Sequence, residues 1–101
     1  DVYVATVGGM KMSEPAADLA AALAIASAAK GLAIPADLVA IGEVGLAGEI
    51  RKVSGVQRRL EEAMRLGFKR ALIPAGSEVK ISGMEIVEVS RIDQAITKVK
   101  I

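Results

Sequence analysis

The stretch Leu38–Pro74 reads LVAIGEVGLAGEIRKVSGVQRRLEEAMRLGFKRALIP, and its hydrophobic period changes twice. Leu38–Val44 (LVAIGEV) is a short apolar run, which predicts a strand. Gly48–Val53 (GEIRKV) predicts a strand partner, joined to it through Gly45-Leu46-Ala47-Gly48 as a hairpin-like turn. From Ser54 the spacing becomes helical. Val56, Leu60, Ala63, Met64 and Gly67 fall at i, i+4, i+7, i+8 and i+11, one face of a helix, while Gln57, Arg58, Arg59, Glu61, Glu62 and Arg65 cover the other sides. Ser54 and Gln57 have the spacing of a capping box, and Glu61 and Arg65 that of a weak i,i+4 ion pair. Arg70–Ile73, stopped by Pro74, predicts the next strand.

Working outward, Val2–Val7 (VYVATV) predicts a buried strand ending at Gly8-Gly9. Ser13-Glu14-Pro15 supplies a helix start, with a hydroxyl cap, an acid in the first turn and a proline whose missing N–H costs nothing there. That helix is expected to run to Lys30 and stop at Gly31. It is mostly alanine, with Leu19, Leu23 and Ile25 among them, and a helix apolar nearly all round is expected to be buried on more than one side. Beyond Pro74, Ala75–Gly83 reads as a polar loop, Glu85–Val89 as an edge-like strand, and Ser90-Arg91-Ile92-Asp93 as the cap of a last helix carrying Ile92, Ala95, Ile96 and Val99. The order β-α-β-β-α-β-β-α predicts an α+β domain in which helices cover a mixed sheet.

Composition narrows the chemistry. The chain of 101 residues is 52% hydrophobic but only 2% aromatic, so one compact core must be built from aliphatic side chains. It has no cysteine and no histidine, which removes thiol chemistry, imidazole bases and the usual zinc ligand sets. Cysteine usage suits a cytoplasmic setting. The apolar run Leu19–Ala29 is too short for a membrane span, which needs roughly 20 residues. Net charge is +1, but its distribution is uneven: Arg51, Lys52, Arg58, Arg59, Arg65, Lys69 and Arg70 stand against only Glu61 and Glu62 between positions 51 and 70. The chain begins without Met inside a strand, and is expected to be a piece of a longer protein.

Three stretches are similar to the Lon peptidase-domain family: Gly9–Leu19 (GMKMSEPAADL), Gly42–Val53 (GEVGLAGEIRKV), and Val56–Pro74 with its amphipathic helix and strand ending in Ile-Pro. The resemblance implies the α+β fold of that family (ribosomal protein S5 domain 2-like), here a partial domain, 1–101, lacking its N-terminal portion. Active members use a serine nucleophile with a lysine base, a couple that works because a desolvated lysine loses its charge near neutral pH. Laid on this chain, the serine position falls on Ala16 and the lysine position on Gln57. A methyl group is no nucleophile and an amide is no general base, so no peptidase activity is expected.

Loss of both, within wording such as VGGMKMSEPAADLA, VAIGEVGLAGEIRKV and RRLEEAMRLGFKRALIP, resembles the C-terminal Lon-protease-like domain of the RadA (Sms) family of bacterial DNA-repair proteins. That resemblance implies a parent that is a DNA-dependent ATPase in recombinational repair and branch migration. It implies ATP, Mg and Zn bound outside these residues, a hexameric homo-oligomer, single-stranded or branched DNA, and the RecA recombinase as partner.

Against it stand two alternatives: an active Ser–Lys endopeptidase, and an inactive Lon-like scaffold of another ATPase. Ser13 with Lys11 as base, or Glu43 with Glu49 as a carboxylate pair, would each be a catalytic reading. Helix capping for Ser13 and a hairpin-shaping role for the two glutamates fit their contexts better. No phosphate loop of the Gly-x-x-x-x-Gly-Lys-Ser/Thr type is present. Arg51, Lys52, Arg58 and Arg59 are the candidate DNA contacts. With no Trp, and only Tyr3 and Phe68 as aromatics, contact would be sequence-independent and would run through phosphates.

Overall fold

A computed structural model describes the backbone of residues 6–7 and 10–11, and residues 15–100 in full. The expected strand Val2–Val7 is described only at its end. Ser13 and Glu14, the expected helix start, and the side chain of Lys11 lie outside the described residues.

Short elements follow one another along the chain: β1 (Thr6–Val7) and β2 (Met10–Lys11), a 3-10 turn (Pro15–Ala17), α1 (Asp18–Lys30), β3 (Leu38–Ala40), β4 (Glu43–Val44), β5 (Ile50–Arg51), α2 (Val56–Arg65), β6 (Arg70–Pro74), β7 (Glu85–Val89) and α3 (Ile92–Val99). The fold is α+β. Its central sheet has the order β3-β6-β7 with both pairings parallel, in register Leu38↔Arg70 and Arg70↔Glu85. Among the described residues the antiparallel pairing lies in two separate ladders, β1 with β2 and β4 with β5, and in an isolated bridge between Glu49 and Arg91.

Alternation along the strands divides the core between the two faces of the sheet. Val39, Ile41, Ala71 and Ile73 pack with Val56, Leu60 and Ala63 of α2, joined by Ala16 and Ala17. Leu38, Ala40, Leu72 and Val89 pack with Leu19, Ala20 and Leu23 of α1 and Ala95 of α3. Leu60 and Leu19 are fully buried, and burying one such side chain is worth about 1.5–3 kcal/mol. Both helix faces that meet the sheet are therefore closed mainly by aliphatic side chains, with Phe68 packed against the α2 side.

The structure departs from several expectations. The run Leu38–Val44 is two strands, not one, because Gly42 leaves the ladder: its N–H donates to the Ala16 carbonyl at 2.9 Å and its carbonyl accepts from Leu19 N–H at 2.9 Å. A Cβ at Gly42 would stand 2.9 Å from Ile50 Cγ2, so only glycine lets the three segments meet there. The hairpin partner shrinks from Gly48–Val53 to Ile50–Arg51. Helix α1 is buried along Leu19, Ala20 and Leu23 only, with Ile25 59% exposed, so it is not covered on several sides. Met64 sits at the exposed margin of α2.

The helix ends also differ from the capping expectations. Gly31 stops α1 as expected, in left-handed backbone with φ +67°. At α2 the N-cap is Gly55, also left-handed at φ +74°, and Ser54 makes no capping bond. At α3 the N-cap is Arg91, while Ser90 donates through N–H (2.8 Å) and Oγ (3.3 Å) to Gln94 Oε1. Arg65 pairs with Glu62 and not with Glu61, whose carboxylate accepts from Gln57 Nε2 at 2.9 Å.

Candidate functional site: a cationic cleft at the start of the second helix

The site is assembled where β5 hands over to α2. Past Arg51 the chain leaves its ladder, Lys52 and Val53 run free of pairing, and Gly55 turns the backbone into the helix. Among the described residues, no side-chain hydroxyl or carboxylate caps the first-turn amides of α2. Two concavities open on this junction. One of about 510 Å³ is walled by Lys52, Val56, Gln57, Gly76, Ser77 and Glu78. The other, about 300 Å³, is walled by Pro15, Ala16, Glu43, Ser54 and Arg59. Lys52 and Val53 line both and form the ridge between them.

Ala16 is buried at the wall of the smaller concavity, held by the bond from Gly42 N–H to its carbonyl. Gln57 lines the larger one, and its carboxamide is committed: Nε2 donates to the Lys80 carbonyl at 2.7 Å, and Oε1 accepts from Lys80 N–H at 2.9 Å. Of the two concavities, Ala16 lines one and Gln57 the other, and Lys52 and Val53 line both. Neither offers a nucleophile or a base.

The four candidate cations occupy different situations. Arg51 is exposed and spends its guanidinium on Glu49, with Nη2 2.8 Å and Nε 3.1 Å from Oε2. Lys52 and Arg58 are exposed with no ion pair among the described residues. Arg59 Nε donates to the Ser54 carbonyl at 3.4 Å, which turns its side chain back over the helix start. Lys52 and Arg59 are therefore the two that stand directly in the concavities, with Arg51 on the strand just before Lys52 and Arg58 on the first turn of α2.

Glu49 belongs to the hairpin. Its own backbone N–H, then Arg51 and the Ala47 N–H, hold its carboxyl below the usual glutamate value. Arg91 Nη2 donates to the Ala47 carbonyl at 2.9 Å, so the turn is braced from the start of α3 as well. Glu43 lines the smaller concavity and pairs through the ladder with Arg51. Among the described residues no group of three or more acidic side chains is arranged to hold a metal ion. Among those residues, too, no helix is long and apolar enough to cross a membrane.

Sequence reasoning missed two contacts. Gln57 meets Lys80 across 23 positions, and Arg70 binds Asp37 across 33, with Nη2 2.8 Å from Oδ1. The Arg70 guanidinium holds the Asp37 carboxyl below its ordinary value, and Asp37 in turn raises Arg70. Both are non-local, and no local spacing announces them.

The sequence pattern of the family described as subunit ChlI of Mg-chelatase matches residues 6–77. The chain is also similar to DNA repair protein RadA of Aquifex aeolicus, 55% identical over 96 residues and covering 95% of this chain but 22% of that protein. The corresponding figures for RadA of Mycolicibacterium smegmatis are 51% over 96 residues, 95% and 21%. For RadA of Escherichia coli they are 46% over 99 residues, 96% and 22%. The chain therefore spans about a fifth of the length of the curated relatives it matches.

Proposed function

The chain belongs to the family described as subunit ChlI of Mg-chelatase, and from that premise we propose that it is a non-catalytic, Lon-like domain of a RadA-type DNA-repair protein. In this reading the parent is a DNA-dependent ATPase in recombinational repair and branch migration, hexameric, and partnered by the RecA recombinase on single-stranded or branched DNA. ATP, Mg and Zn belong to other parts of that parent. This domain contributes hexamer assembly and a phosphate-binding surface.

The observation that carries the DNA contact is the placement of Lys52 as an exposed ammonium, without an ion pair among the described residues, on the ridge between two concavities, with Arg59 lining one of them. A cation without an intramolecular anion keeps its charge available for phosphates, and the released counterions make such binding steeply salt-dependent. A few contacts per subunit repeated around a ring would add through multivalency. Ala16 and Gln57 support the non-catalytic half of the reading, because hydrolysis of an amide would need groups that they lack.

The test replaces Arg51, Lys52, Arg58 and Arg59 together by Ala in the full-length protein. The slope of log affinity for single-stranded DNA against log salt is expected to become shallower by about 0.7 for each phosphate that these side chains neutralise. An unchanged slope overturns the DNA-contact role. Casein digestion by the same protein is expected to stay at the blank rate.

A further inference from the structure

Between β6 and β7 the chain makes a parallel connection without a helix, although such crossovers usually need one. The connecting segment, 75–84, must travel back along the sheet in extended form. Glycines in left-handed backbone stand near its two ends, Gly76 at φ +84° and Gly83 at φ +87°. Between them no residue joins a helix or a ladder.

This segment is not the simple polar loop its composition suggests. Val79 and Ile81 are half-buried against the core beneath α2, which gives the segment an apolar seat. Lys80, between them, meets Gln57. That carboxamide supplies a donor and an acceptor to one residue's carbonyl and N–H, at 2.7 and 2.9 Å, as a neighbouring strand would. Gly76 N–H donates to Glu88 Oε1 at 2.8 Å and Ser77 Oγ to the Pro74 carbonyl at 2.7 Å, so the near end is anchored separately. From 78 to 82, Gln57 is the only hydrogen-bonding partner among the described residues.

We propose that 77–82 is a strap and Gln57 its catch, so that one carboxamide sets how far the larger concavity beside Lys52 stands open. Glu78 of the strap lines that concavity beside the anchored Gly76 and Ser77, together with Lys52, Gln57 and the start of α2. Releasing Lys80 lets the strap swing about its glycines, small residues of the kind that absorb large backbone changes at hinges. The strands on either side stay in their own ladder. Two solvent-exposed neutral hydrogen bonds are a weak fastening, worth a factor of about 5–30 in the ratio of shut to open. The strap stands independently of whether DNA is the ligand.

Amide hydrogen exchange on the intact protein tests this. In the wild type, Lys80 N–H is expected to exchange more slowly than the amides of Glu78 and Ser82; equal rates overturn the proposal. In Gln57→Ala, exchange at Lys80 is expected to rise about 5–30-fold, confined to 77–82, while α2, β6 and β7 keep their protection. Gln57→Glu sets a carboxylate against both the Lys80 carbonyl and the Glu61 carboxylate, so its expected increase is at least as large as that of Gln57→Ala. No change in Gln57→Ala overturns the catch. So does acceleration spread evenly through α2 and β6, which would make Gln57 a general stabiliser.

Discussion

Helices α1 and α2 lie on opposite faces of the same three-stranded sheet, and they are built on opposite plans. In α2 the side chains sort cleanly: Val56, Leu60 and Ala63 go inward, while Arg58, Glu61, Glu62 and Arg65 face water. In α1, DLAAALAIASAAK, nearly every side chain is apolar, yet only Leu19, Ala20 and Leu23 are buried. The inward faces are equivalent in kind. The outward ones are not, since α2 presents charge and α1 presents methyl groups, with Ile25 59% exposed and Leu32, just past its end, 48%. A hydrophobic pattern therefore specifies a helix's inner side only when a polar complement marks the outer one. Where the whole helix is apolar, the backbone around it decides: Asp18 accepts from Val44 N–H at 3.2 Å and Leu19 N–H donates to the Gly42 carbonyl, and these bonds fix which way α1 faces.

The sharpest way to break this comparison is to cut each inner face. Leu60→Ala and Leu23→Ala remove fully buried side chains on opposite sides of the sheet, and each is expected to cost about 2–5 kcal/mol in urea unfolding. If one costs much less, the two faces are not equivalent and the sheet leans on one helix.

A smaller effect is expected at the joint that serves both faces, where Asp37 and Arg70 tie the start of β3 to the start of β6. The folded Asp37 pKa is depressed, so its contribution is fully present above the usual aspartate range and is lost as pH falls through the lowered folded value. Both side chains are well exposed, and solvent screening keeps such a pair weak. Asp37→Asn is expected to flatten the acid limb of stability against pH and to leave neutral stability nearly unchanged. An acid limb identical to the wild type would show that the pair does not couple folding to protonation.

The smallest effect belongs to the outer face of α1. Ile25→Ser on this chain alone is expected to change stability by no more than about 0.5 kcal/mol. A loss above about 2 kcal/mol in a full-length RadA-type protein carrying this domain, with none in this chain alone, would mean that the methyl-rich face is covered there.

The contrast between the helices also marks how far sequence reading reaches. The order of the three helices, the stop at Gly31, the buried stripe of α2 and the edge position of β7 follow from period and punctuation, which are local, whereas the extra strand Met10–Lys11 and the split of Leu38–Val44 do not. The break at Gly42 was not legible, because it arises from a helical turn, Pro15–Ala17, reaching back to capture the strand's backbone. Ser54 and Ser90 fit the capping spacing, but a left-handed Gly55 and the Gln94 side chain took over the helix starts. For the site, the cations of the 51–59 stretch were visible as a charge bias, and the structure sets Arg51, already spent on Glu49, apart from Lys52, which has no ion pair among the described residues. Lys80 could not be joined to Gln57 from either residue's neighbours.

The parallel sheet leaves a mark on how the chain is made. Strand β3, buried along its whole length, finds its hydrogen-bonding neighbour only at Arg70–Pro74, and β6 then finds β7 after a far shorter interval. During synthesis the first of these strands, apolar throughout, waits for this described neighbour through all of the hairpin and α2, whereas the last pair closes almost as soon as it appears. Nascent chains of this domain are most exposed to sticking and to chaperones during that wait.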